Sequence, residues 1–170
     1  MSKNILITGI SGMVGSHLSD HLLATELDCK IYGAARWRSP LTNLDQSFSL
    51  ANSKDGVDLK LIHIDLTDPL GVDQALSNIP PLDCVYHLAA QSYPHVSFDS
   101  PLETLNVNIN GTFSLLSAIH KYHPSAKIHV CSSSEVFGRV PKEFVPISED
   151  TPFHPASPYA ISKVGTDLIS

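Results

Sequence analysis

No stretch of this sequence approaches the ~18 consecutive apolar residues that a membrane-spanning helix requires, so a spanning segment is not expected. The opening residues run straight into a short apolar stretch that Thr8 and Gly9 close, too brief for the core of a signal peptide, and a cytoplasmic location is the expectation. Cysteine is scarce. Cys29, Cys84 and Cys131 are widely spaced, each in an apolar stretch, with neither metal-ligand spacing nor a disulfide framework. They read as small buried hydrophobes in a reducing compartment. Positive charge is also scarce: 11 basic residues face 17 acidic ones, a formal net charge of −6. With no basic stripe to neutralise phosphates, nucleic acid is not an expected partner. The nine histidines are scattered with no HExxH-like pairing, so no metal site is assigned. What remains is 170 residues, 42% apolar and 16% charged, enough for one soluble domain with a real core.

Along the chain, short apolar runs alternate with helical spacing. Residues 4–8, 30–34, 59–64, 83–88 and 127–131 read as five strands, buried rather than alternating. Between the first two, helical spacing over 12–25 places Val14, Leu18 and Leu22 on one face. Residues 36–57 are polar and irregular, with room for a short helix near Leu44. Asp68 caps a helix to Leu76 with Pro69 at its first position. A long helix over 102–120 carries a continuous apolar stripe of Leu105, Ile109, Phe113 and Leu116. Residues 141–158 hold five prolines and read as loop. A last helix starts near Ser157. This alternation predicts an α/β fold, a doubly wound parallel sheet of the Rossmann type.

Gly9-Ile10-Ser11-Gly12-Met13-Val14-Gly15 lies between the first strand and the first helix. Glycine there serves a tight strand-to-helix turn, admits a pyrophosphate to the main chain at Gly12, and lets the helix pack close at Gly15. The helix N-terminus offers unpaired N–H groups and a partial positive charge. Alone the pattern is weak; in the first strand–turn–helix of an alternating chain it predicts dinucleotide binding. An NAD site usually carries an acid after the second strand, yet no acid lies between Asp28 and Asp45. Arg36 and Arg38 stand there instead and suit a 2′-phosphate, so NADP is favoured over NAD. The alternative is that both arginines are solvated surface residues or face the substrate side. Asp65-Leu66, after the third strand, could set a carboxylate near the adenine amino group, or Asp65 could equally be a helix-capping residue.

Tyr159 and Lys163 sit four apart at the start of the last helix, on one face. A nearby ammonium lowers a phenol's pKa, so such a tyrosine can exchange a hydroxyl proton while hydride moves. The fifth strand ends in Ser132-Ser133-Ser134-Glu135, where open α/β sheets bind ligands. Those serines could also be ordinary turn chemistry, and Glu135 a solvated carboxylate.

At these residues the chain resembles the extended short-chain dehydrogenase/reductase family. The matching segments are 8–18, 87–92, 108–112, 132–138 and 155–163, together spanning the sequence. The resemblance implies a nucleotide-sugar substrate, a tightly bound NAD(P), and catalysis by Ser133, Tyr159 and Lys163. It places the cofactor on Gly9, Gly12, Met13, Val14, Gly15, Arg36, Arg38, Asp65, Leu66, Leu88, Ala89, Ala90, Tyr159 and Lys163, and the substrate on Gln91, Ser92, Ser133 and Ser134. Within that family the chain is most similar to the GDP-mannose 4,6-dehydratase group, through Ala90-Gln91-Ser92, the 36–44 segment and Ser133-Ser134-Glu135. That group usually has threonine where Ser133 stands; the hydroxyl survives the change. Glucose-type dehydratases would carry Asp in place of Ser134, and galactose-type epimerases would lack the glutamate. The implied reaction oxidises C4, with Tyr159 taking the proton, then eliminates water across C5–C6 with Glu135 as base, and returns hydride to C6.

The related GDP-4-keto-6-deoxymannose reductase is the nearest alternative, and a sugar decarboxylase shares the glutamate. A non-catalytic dinucleotide-binding module is the alternative of another class, disfavoured by the intact Tyr159/Lys163 pair. Relatives carry a C-terminal substrate domain, so residues 1–170 are expected to be the cofactor-binding domain alone, a C-terminally truncated piece with little turnover by itself. By the same resemblance, helices 102–120 and 157–170 would form a four-helix interface in a homodimer or homotetramer.

Overall fold

The computed structural model describes residues 2–26 and 28–170. Five strands, β1 (Lys3–Thr8), β2 (Cys29–Ala35), β3 (Val57–His63), β4 (Cys84–His87) and β5 (Lys127–Val130), form one sheet in the order β3-β2-β1-β4-β5. Every pairing is parallel. The strand order reverses between β1 and β4, the switch point at which such sheets open a crevice at their carboxyl ends. The helices are α1 (Met13–Thr25), α2 (Asp45–Ser53), α3 (Pro69–Ser77), α4 (Pro94–Asp99), α5 (Pro101–Leu105), α6 (Gly111–Tyr122) and α7 (Pro158–Ile169). A 3₁₀ turn over Thr42–Leu44 leads into α2, and a π-helical turn over Asn106–Asn110 joins α5 to α6.

Side chains of a strand alternate between faces, and here both faces are covered. Leu6, Tyr32, Ala34 and Val85 pack with Val72, Leu76, Leu115 and Ile119 from α3 and α6. Ile5, Ile7, Ile31 and Ala35 pack on the other side with Ile10, Leu22, Leu23 and Leu44. The predicted doubly wound Rossmann architecture is the one observed.

Four expectations need correction. Val14 is 57% exposed, and α1 instead buries Gly15, Ser16, Ser19, Leu22 and Leu23. The reason is close approach: a Cβ on Gly15 would lie 2.4 Å from the Gly9 carbonyl oxygen and 2.7 Å from the Ile10 Cα. Only a face of small residues fits there. The long helix over 102–120 is broken by the π turn, and its stripe is not one buried face: Leu105, Ile109 and Leu116 are half-buried, Ile109 against Gly165 of α7. Phe113 is 62% exposed, while Thr104, Asn108, Gly111, Thr112 and Leu115 point inward. In β5 Lys127, Ile128 and His129 are exposed, and Cys131 just beyond them is an exposed thiol rather than a buried hydrophobe. Finally, Asp68 holds the N-cap position of α3 with Pro69 next, but its side chain makes no capping hydrogen bond.

Candidate active site

The glycine turn takes its shape from two backbone demands. Gly9 has φ +70°, which L side chains rarely adopt, and a Cβ there would sit 2.9 Å from the Ala89 nitrogen. Gly15 is fixed by the helix approach described above. Gly12 differs: a Cβ would meet only the Gly9 oxygen, at 3.2 Å, and the residue is exposed with Met13 and Val14. The turn therefore presents a bare rim at the N-terminus of a 13-residue helix, where the first N–H groups have no intrahelical partner and the dipole favours an anion.

Beside it, past the end of β2, lies an open hollow of about 480 Å³ lined by Arg36, Trp37, Arg38, Ser39, Pro40 and Asp65. Arg36 and Arg38 line this hollow and are both exposed, hence solvated. Trp37 packs edge-on against His63, centroids 4.8 Å apart. Asp65 turns back on its own loop: the Thr67 hydroxyl and N–H donate to its Oδ1 at 2.7 and 2.9 Å. Those bonds, with a smaller contribution from the Arg36 charge, hold its carboxyl below the usual range. Leu66 is buried, with its Cβ where a side chain on Gly111 would have to go.

Residues that the sequence places far apart meet at the carboxyl ends of β1, β4 and β5. Tyr159 and Lys163 lie on the first turns of α7, only 8% and 5% exposed. The helix begins there because the Ser157 hydroxyl accepts the Ala160 N–H at 3.0 Å and Pro158 follows the cap. The Lys163 ammonium donates to the carbonyl of Cys131, the residue that follows β5. Burial pulls its pKa below the ordinary lysine value, as desolvation disfavours the charged form. Two residues past that carbonyl, Ser133 is half-buried and its Oγ accepts the Glu135 N–H at 3.2 Å, capping a 3₁₀ turn over Ser134–Phe137. The serine hydroxyl thus does turn chemistry and keeps its proton for donation. Ser134 and Glu135 are exposed on that turn. Ser132 reaches Asp167 on α7 at 2.6 Å, a second strap between β5 and the helix.

Leu88, Ala89 and Ala90 follow β4 and are half-buried beside the glycine turn. The Gln91 side chain is engaged within its own loop: its oxygen accepts the Tyr93 N–H at 2.6 Å and its amide donates to the Tyr93 carbonyl at 3.1 Å. Ser92 is exposed.

Sequence reasoning gave no individual role to the polar residues beneath the site. Thr8, His87, Asn108, Thr112 and Ser162 are all buried and bonded to one another. The available signal was a threonine and a histidine closing two apolar strands, next to the segments 87–92 and 108–112.

The sequence matches the model of the GDP-mannose 4,6-dehydratase family over residues 6–170. It is 40% identical over 170 residues to a GDP-mannose 4,6-dehydratase of Vibrio cholerae serotype O1, covering 96% of this chain but 44% of that protein. The fold is similar to UDP-glucose 4-epimerase from Bifidobacterium longum in complex with NAD+ and UDP, with TM-score 0.83 and 26% identity over 98% of this chain and 48% of that one. It is also similar to RMD from Pseudomonas aeruginosa complexed with NADPH, with TM-score 0.71 and 28% identity over 99% and 47% of the two chains. The chain therefore spans under half the length of these relatives. The glycine turn, the Tyr159/Lys163 helix and the match over nearly all of its residues make this chain a member of the GDP-mannose 4,6-dehydratase family.

Proposed function

We propose that this chain is the cofactor-binding part of a nucleotide-sugar 4,6-dehydratase acting on GDP-mannose, with NADP as its resident cofactor. The single observation that carries the reading is the placement of buried Tyr159 and Lys163 at the same sheet edge as the open Gly12 rim. One holds a proton, the other an anion, and a dinucleotide laid across the edge reaches both. The names of the relatives supply the sugar; the NAD+ and NADPH of the solved neighbours support a nicotinamide dinucleotide.

Gly9, Gly12, Met13, Val14 and Gly15 hold the diphosphate: the main-chain N–H groups at the helix start, Met13 to Gly15, donate to it, while Gly9 and Gly12, whose own N–H groups are bonded to the Ala34 and Gly9 carbonyls, shape the turn and leave its rim bare. Arg36 and Arg38 take the 2′-phosphate, in a hollow whose one carboxylate, Asp65, is already tied to Thr67. Leu88, Ala89 and Ala90 line the path between, and Leu66 backs it from the core. A nicotinamide held there would supply the hydride acceptor and donor for the C4 oxidation and the C6 reduction. The chain's residues handle the protons. Lys163 stabilises the Tyr159 phenolate, which takes the C4 hydroxyl proton as the carbonyl forms. Ser133 donates to that oxygen. Glu135 removes the C5 proton, now acidified by the ketone, and passes it to the C6 hydroxyl, which leaves as water; the proton that Tyr159 took balances the one C5 regains when hydride reaches C6. Gln91, Ser92 and Ser134 stand on the rim where the sugar enters.

The outward face of α5, α6 and α7 presents Leu102, Phe113, Ile161 and Leu168, an apolar patch that a second copy covers; we place the protein as a homodimer, or a pair of them. No helix among the described residues is long and apolar enough to cross a membrane. The free thiols of Cys29, Cys84 and Cys131 suit a reducing compartment, the cytoplasm.

Incubation of the protein encoded by the intact gene with GDP-mannose and NADP+ tests the reading. A 4-keto-6-deoxy product with no net NADPH is expected. Unchanged GDP-mannose, together with reduction of a supplied 4-keto-6-deoxy sugar, would move the assignment to the reductase. Dinucleotide binding with neither activity would leave a binding module.

A further inference from the structure

His87 closes β4 and pairs in register with Thr8, the last residue of β1 before the glycine turn. Its ring is 3% exposed and has a hydroxyl on each side. Nδ1 lies 2.7 Å from the Thr8 Oγ1 and Nε2 lies 2.9 Å from the Thr112 Oγ1. Which nitrogen carries the proton follows from counting lone pairs. The Thr8 oxygen accepts the N–H groups of Leu88 and Ala89, both at 3.1 Å. A hydroxyl oxygen has two acceptor sites and one proton, so Thr8 has only its proton left, and Nδ1 must accept it. Nε2 then carries the hydrogen and donates to Thr112, which passes its own proton to the Asn108 carbonyl at 2.6 Å.

Asn108 is where this chain of bonds reaches the helix of Tyr159 and Lys163. Its side-chain amide donates to the Ser162 Oγ at 2.8 Å, and its carbonyl lies 3.1 Å from the Thr166 hydroxyl, whose single proton it shares with the Ser162 carbonyl at 2.9 Å. Its Oδ1 accepts the Gln91 N–H at 2.8 Å. Asn108 sits in the π-helical turn, and such turns free backbone groups for contacts of this kind.

We propose that His87 is a positioning residue, locked as the neutral Nε2–H tautomer, that fixes the glycine turn relative to the helix carrying Tyr159 and Lys163 through Thr8 on one side and Thr112–Asn108 on the other. The proposal rests on the functional reading above, since it matters only if the turn holds the dinucleotide and Tyr159 moves the proton. Every bond along the path has a single allowed direction, so the connection is rigid. A doubly protonated ring would set an N–H against the Thr8 oxygen, whose acceptor sites are already filled. Lys163 is the charged group acting on the ring; the hydroxyls of Thr8 and Thr112 are neutral.

Two measurements decide it. Nitrogen-15 NMR of the unsubstituted protein at pH 7 reads the tautomer without any activity: an Nε2–H, Nδ1-acceptor pattern at His87 is expected, and an Nδ1–H or imidazolium pattern overturns the proposal. His87→Asn keeps an acceptor facing Thr8 and removes the donor to Thr112. Loss of one buried hydrogen bond is worth about a factor of ten, and it should fall on one side only. The Kd for NADP+ should stay within about threefold, while kcat falls about tenfold. Equal losses in both, or in neither, overturn the proposal. An unsubstituted protein that binds no dinucleotide defeats the functional reading instead, and the tautomer still decides whether the connection itself exists.

Discussion

Burial, reinforced by the Lys163 charge, holds the His87 imidazole at a pKa of about 4, against 6.5 for the ordinary group. The unfolded chain takes up a proton near pH 6.5 that the folded chain refuses until about 4. Folding stability is therefore untouched above 6.5 and is lost as the pH falls through this window, by about 1.4 kcal/mol per pH unit and about 3 kcal/mol in all. Urea unfolding at pH 7 and pH 4.5 checks this: the unsubstituted protein should lose more stability than His87→Asn, and equal losses would contradict it. Tyr159→Phe removes the proton acceptor but not the ring, so kcat should fall ~10²-fold or more with dinucleotide affinity little changed, as steady-state kinetics beside a binding titration would show. Gly9, Gly12 and Gly15 were legible in the sequence because a glycine turn has a fixed spacing and a fixed place after the first strand. The Thr8–His87–Thr112 connection was not. Thr8 and His87 lie 79 residues apart, and no local periodicity reports a pairing made across two strands.

At the level of elements, α3 and α7 make a controlled comparison, for both begin with a polar residue followed by proline. The Ser157 hydroxyl makes its capping bond and the Asp68 carboxylate does not. Ser157→Ala should cost about 1 kcal/mol and loosen the turn that carries Tyr159, whereas Asp68→Ala loses only its attraction to the helix dipole, about 0.3–1 kcal/mol. Thermal unfolding of the two variants should rank them in that order. All five strands and the helix starts at Pro69 and Pro158 could be read from apolar runs and proline placement. The interruption at Asn106–Asn110 could not, because its cause is tertiary: Asn108 is held inward by Gln91, Ser162 and Thr166 rather than by its own helix. Of the Leu105–Phe113 stripe, Leu105 and Ile109 are half-buried and Phe113 is exposed, with Ile109 filling the space beside Gly165 of α7. Inward positions there go to small or hydrogen-bonded residues that allow close packing, such as Gly111 against Leu66.

For the whole molecule, the doubly wound architecture follows from alternating strands and helices with right-handed crossovers and was readable in the sequence; that alternation admits more than one strand order, and the order β3-β2-β1-β4-β5 is set by pairings between distant strands. The outward patch on α5–α7 gives a prediction at this scale. Phe113→Glu places a charge in the proposed contact, and sedimentation should show the dimer dissociating while the far-ultraviolet circular dichroism is unchanged; an unaltered mass would remove that face from the interface. The central claim is that one crevice, with the Gly12 rim at one end and Tyr159 and Lys163 at the other, takes a hydrogen from C4 and delivers the same hydrogen to C6. Mass spectrometry of the product from GDP-mannose deuterated at C4 tests it most directly. The account predicts deuterium at C6 of a 4-keto-6-deoxy sugar with no NADPH accumulating; deuterium left at C4, or recovered in free NADPH, would contradict it.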